Sequence, residues 1–125
     1  TNKSVVALEG DGALLMNLGT LATIGNRAPD NLILLVIDNG SYGSTGDQAT
    51  YTSEATSLAV MARGGGCKSV IECSGEDTAG VLVDALGARR PSVIISKVAP
   101  GNRPLPVVPL HPIVLRERFK KAIQM

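Results

Sequence analysis

Tryptophan is absent from this chain of 125 residues, which holds one phenylalanine and two tyrosines. A surface that stacks bases on aromatic side chains is therefore not expected, and any core must be aliphatic. Charge of one sign is also missing. Twelve basic residues face eleven acidic ones, for a net charge of +1, which indicates neither a nucleic-acid footprint nor a membrane-surface patch. No apolar run reaches the ~18 residues needed to span a bilayer. The two cysteines, Cys67 and Cys73, are too few for a disulfide framework and stand in no metal-ligating spacing. Buried, reduced thiols in a cytoplasmic protein are the simplest reading. Thr1-Asn2-Lys3-Ser4 lacks the layout of a signal peptide. The first residue is not Met, so the chain reads as a fragment, a processed product or a trimmed chain.

What is present is a regular alternation of apolar runs and helix-like stripes. Ser4–Leu8 is a short continuous apolar run closed by Gly10, the pattern of a strand buried on both faces. From Ala13 to Asn26 the apolar spacing predicts one helix, with Gly25-Asn26 as its stop and Gly19 marking a point of close packing. Leu32–Ile37 is apolar at every position and predicts a central strand. The loop from Asp38 to about Tyr51 carries Gly40, Gly43 and Gly46, and at that length a loop in a compact domain is usually functional. A helix is expected over 53–63, capped by Ser53, then a strand over 69–73, a helix over 76–89 and a strand over 92–98. A proline-rich connector (100–112) holds five of the seven prolines and leads into a closing helix over 112–125.

Strands alternating with helices imply parallel pairing through right-handed crossovers. The expectation is one α/β domain spanning 1–125, with an open, mainly parallel sheet in a three-layer arrangement. Ligands of such sheets sit beyond the carboxyl ends of the strands. Two motifs fall there: Glu9-Gly10-Asp11-Gly12-Ala13-Leu14 after the first strand and Asp38-Asn39-Gly40-Ser41-Tyr42-Gly43 after the second, with Asn39 standing 28 positions beyond Asp11. Gly10 and Gly12 allow close approach of a bulky anion, and the helix that follows offers free N–H groups. The Asp11 carboxylate would repel a bare phosphate, a conflict that a divalent cation resolves. Mg²⁺ takes oxygen ligands, commonly one or two side chains with phosphate oxygens and water. Asn39 and a backbone carbonyl just beyond it would complete the set.

The paired motif resembles the thiamine-diphosphate signature. The run through Leu15-Met16-Asn17, Leu21-Ala22-Thr23 and Ser41 to Gln48, with the proline-rich tail and Arg116-Glu117-Arg118-Phe119, is similar to the sulfopyruvate and phosphonopyruvate decarboxylases. That resemblance implies Mg²⁺ ligation by Asp11, Asn39 and the Ser41 carbonyl. It implies diphosphate contacts from Gly10, Gly12 and the Ala13 and Leu14 amides, with Tyr42 and Gly43 shaping the loop above. It implies thiamine diphosphate as cofactor, a small 2-oxo acid as substrate, and a dimer or higher oligomer. The activating glutamate of this superfamily lies in a separate pyrimidine-binding domain, and Glu9 cannot be assigned that role. Its catalytic residue is therefore expected on a partner domain or α subunit, and the thiamine-diphosphate fold is expected to be incomplete on its N-terminal side. Two other readings stand beside this one: an acetohydroxyacid-synthase-like carboligase domain, and a non-catalytic remnant that serves in assembly.

Other polar residues have bland readings that outweigh sharp ones. His111 is expected to be structural, Glu54 to be a helix N-terminal charge, and Arg89-Arg90 to complement a helix dipole. Asp47 and Gln48 divide between loop-internal hydrogen bonding and substrate contact.

Overall fold

The computed structural model describes residues 2–101, 106 and 108–124. Four parallel strands form one sheet in the order β1-β2-β4-β3: β1 (Val5–Gly10), β2 (Leu32–Asp38), β3 (Ser69–Ser74) and β4 (Ser92–Lys97). Three helices, α1 (Asp11–Leu15), α2 (Gly19–Arg27) and α3 (Leu58–Gly64), share one aliphatic cluster with Leu34, Val36, Val93 and Ile95 of the sheet. On the other face α4 (Thr78–Ala88) packs Ala85, Val81 and Leu82 against Ile33, Leu35 and Ile94. This is the expected three-layer α/β arrangement. The core needs no aromatic side chain, because Val36, Ile94 and Ile95 are fully enclosed and each such side chain contributes roughly 1.5–3 kcal/mol.

β2 is central, as its uninterrupted apolar run demands, lying between β1 and β4. β1 differs from expectation. It is an edge strand among the described residues, with Val6 and Leu8 exposed. Both align with β2 residues of the α4-facing side, Ile33 and Leu35, and α4 covers β3 and β4 instead.

The single helix expected over 13–26 is two. Its start moves forward to Asp11, and tight turns break it, with the Asn17 N–H donating to Leu14 O at 3.0 Å and the Thr20 N–H to Asn17 O at 3.2 Å. Asn17 and Gly19 both disfavour helix interior, Asn by competing for backbone groups. A Cβ on Gly19 would meet nothing nearer than 3.6 Å, whereas one on Gly25 would lie 2.2 Å from the Gly65 carbonyl oxygen. Close helix packing therefore belongs to Gly25, inside α2, and the stop belongs to Ala28, in the left-handed conformation at φ 43°.

The helix expected from Ser53 also moves. A short 3₁₀ turn covers Tyr51–Ser53, and α3 begins after Ser57, whose hydroxyl accepts the Val60 N–H at 3.2 Å. Glu54 consequently precedes the helix and is not in its first turn. The closing helix α5 (Pro112–Gln124) has no fully buried residue and is tied back where Lys3 Nζ donates to Ala122 O at 2.8 Å. His111 caps it, its Nδ1 accepting the Ile113 N–H at 3.3 Å. Within the connector, 102–105 and 107 lie outside the described residues, as do Thr1 and Met125.

Candidate functional site

Strand register brings the two motifs together. Gly10 aligns with Ile37 and Asp38 with Lys97, so β1, β2 and β4 end side by side. Asp11 opens α1 directly after β1, and Asp38 closes β2. Both carboxylates are only 2% exposed. Burying two anions is unfavourable unless each finds donors, and each does. Thr50 Oγ1 donates to Asp11 Oδ2 at 2.5 Å, and Thr52 Oγ1 lies 3.0 Å from the same oxygen. Thr52 Oγ1 is also 2.7 Å from Asp38 Oδ1, while Lys97 Nζ pairs with Asp38 Oδ2 at 2.6 Å. The long loop after β2 therefore returns to the ends of β1 and β2 and locks onto them through Thr50 and Thr52.

In front of this network lies a cavity of about 430 Å³. Gly10, Asp11, Gly12, Ala13, Asn39, Ser41, Tyr42 and Gly43 all line it, as does Glu9. Leu14 does not; its side chain points into the core at 4% exposure. The loop wall is built by its own backbone. Tyr42 N–H donates to Gln48 O at 2.8 Å, Thr50 N–H donates to Gly40 O at 2.9 Å, and Tyr42 O accepts the amides of Thr45, Gly46 and Asp47. Gly40 adopts φ 69°, a conformation open to glycine without strain. The Tyr42 ring lies flush on Gly12, where a Cβ would be 2.5 Å from the ring edge, while a Cβ on Gly10 would meet nothing within 4 Å.

The donor set suits a hard cation and an anion. Among the described residues, both hydrogen bonds to Asp11 fall on Oδ2, which leaves Oδ1 without a protein donor. Asn39 Oδ1 accepts the Ser41 N–H at 3.1 Å and keeps a second lone pair. The Ser41 carbonyl accepts no backbone hydrogen bond among the described residues. Three oxygens of carboxylate, amide and carbonyl type match what Mg²⁺ takes. The backbone N–H groups at the start of α1 lack helical partners and stand beside them.

Other sequence candidates fall elsewhere. Asp47, in the left-handed region at φ 57°, accepts the Ser41 hydroxyl, so its partner is internal to the loop. Gln48 Oε1 accepts Thr45 Oγ1 at 3.5 Å. Cys67 is buried, donates to Leu21 O at 3.4 Å, and burial pushes its thiol pKa up; it and Cys73 are both unpaired. Sequence reasoning missed Thr50, Thr52 and Lys97 as members of the site and gave Asp38, at the head of the second motif, no role of its own. A charged residue ending each of two largely apolar strands was the available sign for Asp38 and Lys97. Nothing local marks the threonines.

A second cavity, about 790 Å³, opens at the other ends of the strands between Ile24, Gly25, Cys67, Lys68, Val70 and Arg90.

A parallel sheet of this order, with its chemistry gathered where β1 and β2 end, defines an α/β domain of the cofactor-binding class. The chain matches the family described as thiamine pyrophosphate enzyme, C-terminal TPP binding domain, over residues 1–96, and it belongs to that family. It is 42% identical over 120 residues to the sulfopyruvate decarboxylase subunit beta of Methanocaldococcus jannaschii, covering 96% of this chain and 64% of that one. It is 41% identical over 103 residues to the phosphonopyruvate decarboxylase of Streptomyces viridochromogenes, covering 82% of this chain and 26% of the relative. The chain thus spans just under two thirds of the β subunit's length. Its fold resembles part of the transketolase of Campylobacter jejuni, with a TM-score of 0.61 at 21% identity, over 77% of this chain and 15% of that one.

Proposed function

We propose that this chain is the diphosphate- and Mg²⁺-binding part of a thiamine-diphosphate-dependent 2-oxo acid decarboxylase of the sulfopyruvate or phosphonopyruvate type. The observation that carries this reading is the convergence of Asp11, Asn39 and Ser41 on one cavity at the carboxyl edge of the sheet. Asp11 Oδ1, the Asn39 amide oxygen and the Ser41 carbonyl would hold Mg²⁺. Gly10, Gly12 and the Ala13 and Leu14 amides would hold the diphosphate, with Tyr42 and Gly43 closing the loop above it. Bound there, thiamine diphosphate supplies the nucleophilic carbon and the electron sink that loss of CO₂ from a 2-oxo acid requires.

The residues of this chain bind and orient. The Tyr42 ring on Gly12 and the hydrogen-bonded loop between Gly40 and Thr50 wall the cavity on one side. In this reading a pyrimidine-binding partner domain or α subunit supplies the group that activates the far end of the cofactor, in a dimer or larger assembly. The relatives called subunit beta support a partner of this kind. A cytoplasmic location belongs to the same reading and accords with two unpaired thiols.

Calorimetry of the full chain with its co-expressed partner tests the proposal. Thiamine diphosphate should bind with Mg²⁺ and not after chelation with EDTA, and the complex should release CO₂ from sulfopyruvate or phosphonopyruvate. Binding indifferent to chelation would refute the metal assignment, and no binding at all would refute the whole reading.

A further inference from the structure

Thr52, Asp38 and Lys97 lie outside the metal set proposed above, yet the side chains of Thr52 and Asp38 are bonded more densely than any member of it. Asp38 sits where a cation ligand could be sought, beside Asn39 and carrying the full charge that Asn39 lacks. Both of its oxygens are already committed. Oδ2 faces Lys97 Nζ at 2.6 Å, and Oδ1 takes the Gly40 N–H at 3.2 Å and the Thr52 hydroxyl at 2.7 Å. Asp11 is treated differently. Only its Oδ2 is engaged, by Thr50 at 2.5 Å and Thr52 at 3.0 Å, and its Oδ1 is left for the cavity.

The proton count shows how the two carboxylates depend on each other. A threonine hydroxyl has one proton to give. Thr52 stands between both aspartates, and its oxygen is also 2.8 Å from Thr50 Oγ1. With Lys97 and the Gly40 amide already serving Asp38, that proton is shared between Asp38 at 2.7 Å and Asp11 at 3.0 Å. Take Lys97 away, and the buried Asp38 charge draws that proton to itself, leaving Asp11 Oδ2 with Thr50 alone. The relay runs from the end of β4 through the end of β2 to the start of α1, across three adjacent strand ends.

We propose that Lys97, Asp38 and Thr52 are positioning residues that fix which single oxygen of Asp11 is presented to the metal. The inference rests on the Mg²⁺ reading of Asp11, Asn39 and Ser41. It makes Asp11 a one-oxygen ligand. Supporting partners of this kind typically change metal affinity about 10- to 100-fold when removed.

The test is a Mg²⁺ titration of the full chain with its partner at fixed thiamine diphosphate, read by calorimetry. Thr52→Val and Lys97→Met should each raise the apparent Kd for Mg²⁺ by about 10- to 100-fold, and Thr52→Ser should restore it. At saturating Mg²⁺ the variants should recover wild-type affinity for the diphosphate, which a merely misfolded site would not do. Lys97 is 43% exposed at its side chain, so Lys97→Met is informative even where Thr52→Val disturbs folding. A Lys97→Met variant with unchanged or tighter Mg²⁺ binding overturns the relay while leaving the cofactor reading intact. Wild-type protein that ignores Mg²⁺ overturns the cofactor reading and the relay with it.

Discussion

Two cavities open at opposite ends of the same four strands, and the larger one has the poorer chemistry. The cavity of about 790 Å³ at the amino ends is lined mainly by aliphatic side chains and glycines, with Asn26, Cys67 and Ser69 and the exposed Lys68 and Arg90. The cavity of about 430 Å³ at the carboxyl ends is shallower, yet two carboxylates buried to 2% stand at or behind it, held by two threonines and a lysine. Size follows from how helices happen to cover a sheet. Chemistry follows from polar groups that have been desolvated and given partners, because only those are held in one geometry. Parallel strands end with their side chains and following loops converging at the carboxyl edge, which is where the smaller cavity lies.

The sharpest break in that contrast comes from Asp11→Ala. It removes the carboxylate oxygen that has no protein donor among the described residues and is left for the small cavity, so Mg²⁺-dependent diphosphate binding should fall beyond the roughly 100-fold that losing a supporting residue brings, as read by calorimetry. At the large cavity Gly25→Ala should act on stability instead. The new Cβ would lie 2.2 Å from the Gly65 carbonyl oxygen, backbone that cannot swing aside, and overpacking of this kind destabilises by about 1–3 kcal/mol. Urea unfolding should record that loss while the diphosphate Kd stays as it was. Gly12→Ala is the reciprocal change. Its Cβ would meet the Tyr42 ring at 2.5 Å, and a displaced ring should weaken diphosphate binding about tenfold, or about 1.4 kcal/mol, with little change in the unfolding midpoint.

Smaller effects sharpen the comparison further. Removing both exposed cations of the large cavity, Lys68→Ala with Arg90→Ala, should leave diphosphate affinity untouched and stability within about 0.5 kcal/mol per substitution. Cys67, on the wall of that cavity, has its thiol pKa raised by burial, so near pH 8 it stays protonated and inert. A thiol reagent such as DTNB should therefore label Cys73 first and reach Cys67 only as the protein unfolds. Two thiols reacting at one fast rate would show the large cavity to be open to solvent at its floor.

Much of this molecule is readable along the chain, for local reasons. A run such as Leu32–Ile37, apolar at every position, can only be a strand covered on both sides, and it is the central strand. The alternation of strands and helical stripes dictates parallel pairing, and so places both motifs at one sheet edge. Local reasoning failed where tertiary context outweighed a local sign. Gly19 looked like a packing glycine and is not, because which helix face meets its neighbour is decided by α3, and Gly65, which caps α3, faces Gly25. Val5 to Leu8 looked doubly buried, but a four-residue apolar run carries no record of whether a neighbour lies on its far side.

The sequence by itself determined the layers, the parallel sense of the sheet and the positions of Gly10-Asp11-Gly12 and Asn39, since hydrophobic period and turn chemistry are properties of a few adjacent residues. Only the tertiary structure decided that Thr50 and Thr52 reach back over 39 and 41 positions to Asp11, and that Lys97 stands opposite Asp38. Those pairings depend on strand order, with β4 inserted between β2 and β3. Strand order is set by how crossover helices bury their faces together, a condition on the whole chain at once.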